Sequence, residues 1–171
     1  NRAMANLGCG MRCLPGWVNI GGSLTALCGW RRFSVINKIL YRLAGSSEYY
    51  SFEEYNEIIQ KNKLLFYDLR NGVPFENSSL DVIFTSHFLE HLNKQDGRNF
   101  LKDCHRALKT GGILRIAVPD LDIAIKMYYE AGKAEEMQDV FFYNSDGKDF
   151  HSHKYNYNFQ TLKKFWRNMV L

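Results

Sequence analysis

Long apolar runs are missing from the sequence, and none approaches the roughly 18 residues that a membrane-spanning helix needs. An opening segment typical of a signal peptide is also missing, as is any dense block of lysine and arginine. We therefore expect a cytoplasmic protein with no membrane span, and we find no strong signal of nucleic-acid binding. The densest basic cluster has helical spacing and is interpreted as a solvated helix face: Lys163, Lys164 and Arg167.

Cysteine is scarce, and its spacing forms no recognisable framework. The four cysteines include no C-x-x-C pair and no partner histidines at zinc-finger spacing: Cys9, Cys13, Cys28 and Cys104. Reduced thiols in the cytoplasm are therefore the simpler interpretation. The length of 171 residues and the 46% hydrophobic content fit one domain, 1–171, with a continuous core.

Short apolar runs alternate with amphipathic stretches, a pattern typical of strand-helix-strand units that build a parallel sheet. Five candidate strands follow from this pattern: Ala3 to Leu7, Trp17 to Ile20, Leu64 to Tyr67, Leu80 to Phe84 and Ile113 to Val118. The link between the first two strands is too short for a full crossover helix. The sequence therefore predicts a mostly parallel α/β sheet with one irregular first connection.

Helices are predicted between and after these strands. A helical insertion at about 23–62 contains one helix near Arg31 to Leu43 and another whose capping box pairs Ser51 with Glu54, and it could form a lid. A short helix is predicted from Thr85 or Ser86 to Leu92, and a longer one from about Gly97 to Leu108, which Gly111-Gly112 stops. Three more helices are predicted: one capped by Asp120, one near Ala134 to Phe142, and a last one from about Thr161.

A glycine turn, Gly8-Cys9-Gly10, follows the first strand. Glycine lets a ligand approach the main chain closely, and ligands of open α/β sheets bind at the carboxyl ends of strands. The turn does not match a dinucleotide-binding fingerprint, because the third glycine would fall at Cys13. Taken alone, it is either a tight turn with no ligand or part of a binding site.

The order of several motifs resembles the class I S-adenosylmethionine-dependent methyltransferases, closest to a compact bacterial-type branch. The motifs that carry the resemblance are Leu7-Gly8-Cys9-Gly10, Pro15 to Ile20, Asp68-Leu69, Pro74-Phe75, Ser79 to Ile83, Leu89 to Leu92 and Arg106 to Asp120. They cover most of residues 5–122. The resemblance implies a doubly wound, mostly parallel, Rossmann-like methyltransferase fold. It also implies a final antiparallel strand pair, which either is lacking or lies outside this sequence.

The resemblance further implies S-adenosylmethionine as cofactor and gives roles to particular positions. Gly8, Cys9 and Gly10 would pass beneath its methionine part and ribose. Asp68 and Leu69 would flank the adenine, and Ser86 and His87 would lie beside the sulfonium and the acceptor, which is expected to be a small or sugar-like molecule. An oxygen or nitrogen acceptor needs a base, for which His87 is the first candidate and His153 the second.

One position departs from the family pattern. The family usually has an acidic residue at the end of the second strand, where it accepts hydrogen bonds from the ribose, but this sequence has Asn19-Ile20-Gly21-Gly22. Asn19 could substitute only if the strand were shifted, since neighbouring strand positions face opposite ways. Loss of the charged acceptor at Gly21 would weaken cofactor binding. A scaffold that kept the fold and lost the cofactor is therefore an alternative.

Two histidine motifs offer other chemistry. His87-Phe88-Leu89-Glu90-His91 matches the H-x-x-E-H pattern of inverted zinc peptidases, in which His87 and His91 would hold zinc and Glu90 would act as base. That interpretation needs a long helix, whereas the helix here is expected to be short. His151 and His153 open a polar, aromatic tract up to Phe159, interpreted either as a surface loop or as a loop that faces the substrate.

Overall fold

The computed structural model describes residues 2–23, 26–27, 34–43, 45–132 and 152–170. Within these residues, five strands form one sheet in which every pairing is parallel, in the order β3-β2-β1-β4-β5. The strands are β1 (Met4–Leu7), β2 (Val18–Gly21), β3 (Lys63–Phe66), β4 (Leu80–Ser86) and β5 (Leu108–Ala117). The predicted Rossmann-like α/β sheet is confirmed, and each predicted strand overlaps an observed one. No antiparallel strand joins it in the described part of the chain.

The direction in which the sheet grows reverses at β1, which pairs with β2 on one side and with β4 on the other. Asn6 in β1 lies opposite Asn19 in β2 and Phe84 in β4. In open α/β sheets, ligands bind beyond the carboxyl ends of the strands at such a reversal. The topology therefore points to the crevice beyond Leu7 and Ser86 as the candidate site.

Five α-helices and three short 3-10 turns accompany the sheet in the described residues. The helices are α1 (Ser34–Leu43), α2 (Phe52–Lys61), α3 (Lys94–Ala107), α4 (Leu121–Ala131) and α5 (Phe159–Val170), and the turns are Ser46–Glu48, Leu69–Asn71 and Leu89–His91. The predicted capping box of Ser51 and Glu54 is present, and Asp120 caps α4 as predicted. Among these helices, none has the length and apolar character that a membrane crossing requires.

Side chains cover the sheet on both faces. Leu64 packs in a small cluster with Tyr55 and Ile59 of α2, whereas the next residue, Leu65, packs against the larger core. Because neighbouring strand residues point to opposite faces, these two clusters lie on opposite sides of β3. The buried side chains of α2 make it a packed crossover helix, whereas a lid formed by the rest of the insertion stays a prediction.

The predicted short helix from Thr85 or Ser86 to Leu92 is wrong. Thr85 is buried in β4, where it pairs with both Leu7 and Ile116, so the strand continues to Ser86. Only the 3-10 turn Leu89–His91 follows. The extra strand pairing on both sides outweighs the local capping signal, which sequence spacing alone had favoured.

The helix α3 ends within one residue of its predicted end at Leu108, but the predicted stop at Gly111-Gly112 is wrong. The helix ends at Ala107, and the next residue, Leu108, has extended backbone angles and opens β5. Gly111 and Gly112 therefore lie inside the strand, where Gly111 has a φ of 77° and the register with β4 shifts. The glycines permit this irregularity rather than stopping a helix. The helix predicted near Ala134 to Phe142 lies outside the described residues.

The tract before α5 is docked onto the sheet edge rather than standing free as a surface loop. Tyr157 is fully buried and forms an isolated parallel bridge with Asp120, and its ring packs against Phe165. The backbone amides of Lys154 and Tyr155 donate to the carbonyl oxygen of Glu90 at 2.7 and 3.2 Å. By contrast, three basic side chains of α5 are exposed, as a solvated helix face requires: Lys163, Lys164 and Arg167.

Candidate active site

The glycine turn after β1 is built for close approach. Gly8 and Gly10 both have positive φ angles, 70° and 52°, and the amides of Gly8 and Cys9 donate to the carbonyl oxygen of Ile20 at 2.8 and 3.1 Å. A Cβ on Gly8 would lie 2.3 Å from Cγ of Phe88, so this glycine allows the turn and the ring to meet. A Cβ on Gly10 would meet nothing within 4 Å, which leaves open space above that backbone.

Asn19 serves the fold and not a ligand, which corrects its expected role as a ribose acceptor. The side chain is fully buried, and its Oδ1 accepts from Nδ2 of Asn6 at 2.9 Å and from the amide of Leu14 at 2.8 Å. Its Nδ2 donates to the carbonyl oxygens of Leu14 and Trp17, both at 3.2 Å. These bonds close the ten-residue link between β1 and β2 without a helix. The strand is in the expected register, so no shift brings Asn19 towards the crevice.

Gly21 ends β2 at the position where an acidic residue is expected. A Cβ there would lie 3.6 Å from Cβ of Ala26 and 3.8 Å from Sγ of Cys9, which is ordinary van der Waals contact. The backbone does not have a positive φ, so a side chain is sterically admissible. A Cβ thus fits at Gly21, but the sequence provides no carboxylate there.

Asp68 follows β3 and carries the carboxylate expected near an adenine. Its Oδ1 caps the 3-10 turn Leu69–Asn71 by accepting from the amide of Arg70 at 3.0 Å, and the Arg70 guanidinium binds both carboxylate oxygens. The hydrogen bonds from Arg70 hold the pKa of Asp68 below its usual range, so the group is ionised at neutral pH. Leu69 packs its side chain into the core, which leaves only its backbone at the edge.

Ser86 and His87 lie where β4 ends. His87 has a φ of 52°, an uncommon left-handed conformation for a residue other than glycine, and its amide donates to the carbonyl oxygen of Ala117 at 3.0 Å. The side chain is 55% exposed. Partial burial, followed by the charges of Arg12 and His153, lowers the pKa of the imidazole. His87 is therefore neutral near pH 7 and reaches solvent at the crevice.

A buried carboxylate lies next to His87. Glu90 is 1% exposed, and its Oε1 lies 3.3 Å from Nδ1 of His87 and 4.0 Å from Nε2 of His153. Burial raises the pKa of Glu90 to about 7. The rings of His91 and His153 meet edge to face with centroids 5.0 Å apart. The structure thus brings together four titratable side chains from two segments that are more than 60 residues apart.

This histidine cluster differs from the H-x-x-E-H arrangement. The motif spans the end of β4 and a 3-10 turn, not the long helix on which the peptidase geometry depends. The group whose ligand atoms converge contains His153 in place of His87. Sequence reasoning considered His153 only as an alternative base, because nothing local connects it with Glu90. His151, the other histidine of that tract, lies outside the described residues.

The cysteines that the structure describes are free thiols, as expected: Cys9, Cys13 and Cys104. Cys28 lies outside the described residues. Cys9 and Cys13 adjoin the glycine turn, where a hydrogen bond with Cys13 and then burial raise the pKa of the Cys9 thiol. The same hydrogen bond lowers the pKa of Cys13. Neither thiol has a base beside it in the described residues that would indicate nucleophilic catalysis.

Comparisons with known proteins agree with this geometry. A family model described as a methyltransferase domain matches residues 48–116. A solved S-adenosylmethionine-dependent methyltransferase from Archaeoglobus fulgidus superposes with a TM-score of 0.54 at 16% identity. The complex between the Haloferax volcanii Trm112 methyltransferase activator and a methyltransferase gives a TM-score of 0.51 at 13% identity. No curated protein gave a significant match.

The two structural matches cover 98% of this chain but only 60% of each neighbour, so the chain spans less than two thirds of their length. At 16% and 13% identity, the superpositions show similarity of the fold alone. The order of the parallel strands and the family match lead to the same assignment. The chain has the class I S-adenosylmethionine-dependent methyltransferase fold, and the resemblance predicted from its sequence is confirmed.

Proposed function

We propose that this domain binds S-adenosylmethionine in the crevice beyond β1 and β4 and catalyses methyl transfer to a small or sugar-like acceptor. The observation that carries the proposal is the open glycine turn at the reversal of the sheet, with His87 beside it at the end of β4. The open space at Gly10 suits a ligand that lies directly on the main chain. A side chain at Gly10 would occupy this open space, which we call the cradle.

The residues at the crevice suit the cofactor except at one position, where an acceptor for the ribose hydroxyls is missing. Gly8 to Gly10 offer a backbone surface, and ionised Asp68 offers an acceptor to the exocyclic amine of an adenine. The gap is the missing ribose acceptor at Gly21. When bound, the cofactor supplies an electrophilic methyl group on a sulfonium. The protein then has to align the acceptor and exclude water, which explains why the described residues of the site include no nucleophile triad.

We assign the general base to His87. Its side chain is neutral near pH 7 and half exposed, and its Nδ1 lies 3.3 Å from the buried carboxylate of Glu90. A base must be accessible to the acceptor, and the half-exposed side chain of His87 supports this role. His153 is 5% exposed, so it ranks second for proton transfer. The left-handed backbone at His87 turns the chain sharply at the strand end and is the strained position of the site.

The gap at Gly21 also favours a second function. Without a charged acceptor, a domain of this fold could act as a binding or scaffold module that has lost the cofactor. The two functions differ in one measurable property, the affinity for the adenosyl ligand.

Calorimetry with S-adenosylmethionine and S-adenosylhomocysteine tests the proposal. A micromolar dissociation constant supports the enzyme, whereas no heat at millimolar ligand supports the scaffold. Gly10→Leu is expected to weaken binding at least about tenfold, because its side chain would fill the cradle. Gly16→Leu is the matched control: Gly16 also has a positive φ and open surroundings but lies in the turn before β2. Equal losses in both variants would contradict the cradle.

The base is tested separately, with S-adenosylmethionine labelled in its methyl group and a panel of hydroxylated and carboxylated small acceptors. His87→Ala is expected to retain ligand binding and to lower methyl transfer by about 10²–10⁴-fold. His105→Ala is the control, since His105 contacts Trp166 and lies away from the crevice. Unchanged turnover in His87→Ala would remove His87 from the mechanism.

A further inference from the structure

A second cluster of donor atoms lies behind His87. One ligand atom from each of three residues converges so that all three lie within 4.8 Å of one another: Glu90, His91 and His153. Two of them belong to the 3-10 turn after β4, and the third comes from the tract before α5. The amides of Lys154 and Tyr155, which donate to the Glu90 carbonyl oxygen, hold these two segments together.

The carboxylate of Glu90 is the unusual member. Its side chain is almost completely buried, and neither carboxylate oxygen has a hydrogen-bond partner of good geometry among the described residues. The nearest nitrogen atoms are Nδ1 of His87 and Nε2 of His153, at 3.3 and 4.0 Å. A buried carboxylate is strongly destabilising unless it is hydrogen-bonded, paired or bound to a metal. Glu90 therefore faces a position that suits a cation.

The contacts of the two histidines are compatible with metal binding. Nδ1 of His91 lies 3.3 Å from the carbonyl oxygen of Ser152, a contact that requires an N–H and leaves the lone pair on Nε2. Metal-binding histidines usually donate their other ring N–H to a carbonyl or carboxylate in this way. His153 sits edge to face against the His91 ring, with its Nε2 directed towards Glu90.

We propose that Glu90, His91 and His153 bind one divalent transition-metal ion, of which zinc is the best match. Two imidazoles and one carboxylate form a donor set that suits zinc, with a fourth position left for water or another oxygen ligand. In a tetrahedral zinc site, ligand atoms about 2.1 Å from the ion lie roughly 3.4 Å apart. The donors here would therefore close by about an ångström around the ion. Hard cations such as Mg²⁺ prefer oxygen ligands and fit this set poorly.

This site differs from the H-x-x-E-H set because His153 replaces His87. In that peptidase pattern the glutamate is a base and both motif histidines are ligands. Here the glutamate is a ligand and the half-exposed His87 stays outside the set. The proposed ligand set therefore predicts that substitution of His153 weakens metal binding, whereas substitution of His87 does not.

Metal binding is measured on the whole chain after treatment with a chelator, without S-adenosylmethionine. Calorimetry with Zn²⁺ is expected to show about one equivalent per chain, unaffected by millimolar Mg²⁺. The substitutions His91→Ala, His153→Ala and Glu90→Gln are expected to weaken Zn²⁺ binding at least about a hundredfold. His105→Ala and His87→Ala are expected to bind as the unchanged protein does. Loss in His87→Ala with retention in His153→Ala would overturn the ligand set, and no stoichiometric binding by the unchanged protein would overturn the site.

If a variant fails to fold, two measurements on the unchanged protein still test the metal site. Zn²⁺ is expected to raise the melting temperature, and Co²⁺ is expected to give the visible absorption of a tetrahedral site with nitrogen and oxygen ligands. A spectrum of octahedral Co²⁺, or no shift in melting temperature, would contradict the proposal. Gly10→Leu separates this inference from methyl transfer, because that variant is expected to lose adenosyl ligand binding and to keep the metal.

Discussion

Replacing Gly21 by aspartate is expected to strengthen the binding of S-adenosylmethionine. Gly21 ends β2 at the edge of the proposed crevice, and its backbone does not have a positive φ. A new Cβ would make ordinary contacts with Ala26 and Cys9, so the first atom of the side chain meets no clash. The carboxylate would then supply the acceptor that the ribose hydroxyls lack.

The magnitude follows from the strength of hydrogen bonds to charged groups. Such bonds contribute about 1.5–3 kcal/mol, which corresponds to a roughly tenfold to over a hundredfold lower dissociation constant. Gly21→Asn, which is similar in shape but neutral, is expected to give about 0.5–1.5 kcal/mol, or roughly two- to tenfold. A graded response would show that the charge, and not the added volume, improves binding.

Calorimetry with S-adenosylmethionine on the folded variants provides the assay. Gly16→Asp is the control, because Gly16 lies in the turn before β2, at the other end of that strand, and a Cβ there meets nothing within 4 Å. It adds the same charge away from the proposed ligand and is expected to leave the dissociation constant within about twofold. If Gly21→Asp folds normally and binds no better than the unchanged protein, the ribose of the cofactor does not lie at the end of β2.

Three further predictions concern stability and are checked by urea unfolding. Gly8→Ala is expected to destabilise the protein by about 3 kcal/mol, because its Cβ would overlap the Phe88 ring. Gly10→Ala is expected to lose only about 1 kcal/mol, because of its positive φ. Equal losses in the two variants would contradict the contact between Gly8 and Phe88. Asn19→Ala is expected to lose about 2–3 kcal/mol because buried donors lose their acceptor, and a loss below about 0.5 kcal/mol would argue against that network. Tyr157→Phe removes a buried hydroxyl with no partner among the described residues and is expected to be neutral or stabilising by up to about 1 kcal/mol, so a clear loss would reveal a partner.

The sequence predicted the features that depend on local pattern. Each strand overlaps its predicted range because buried parallel strands read as short apolar runs, which need no tertiary information to recognise. The capping box at Ser51 and the cap at Asp120 were found for the same reason, since each is complete within four residues. The glycine turn after β1 was located by its spacing alone.

Other features depend on contacts between distant segments and could not be predicted in this way. The capping signal at Thr85 was outweighed by strand pairing with Leu7 and Ile116, and Leu108 joins the sheet because β4 is there to receive it. Asn19 was misassigned because its partners lie in the loop that it closes.

The histidine cluster shows the same limit at the site. Glu90 and His153 are 63 positions apart, and only the docking of the tract before α5 brings them together. Tyr157 was interpreted as part of a polar loop because the sequence around it is rich in asparagine and lysine. Its burial follows from the bridge to Asp120 and from the ring of Phe165, neither of which leaves a local signal.

The central claim is that an adenosyl ligand lies against the backbone at the carboxyl ends of β1, β2 and β4. Amide chemical shifts of ¹⁵N-labelled protein, followed while S-adenosylhomocysteine is added, test it directly. The account predicts large shifts for the amides of Gly8, Gly10, Gly22 and Ser86, and none for Gly111 at the opposite edge of the sheet. Shifts centred on Gly111, or no shifts at millimolar ligand, would contradict it.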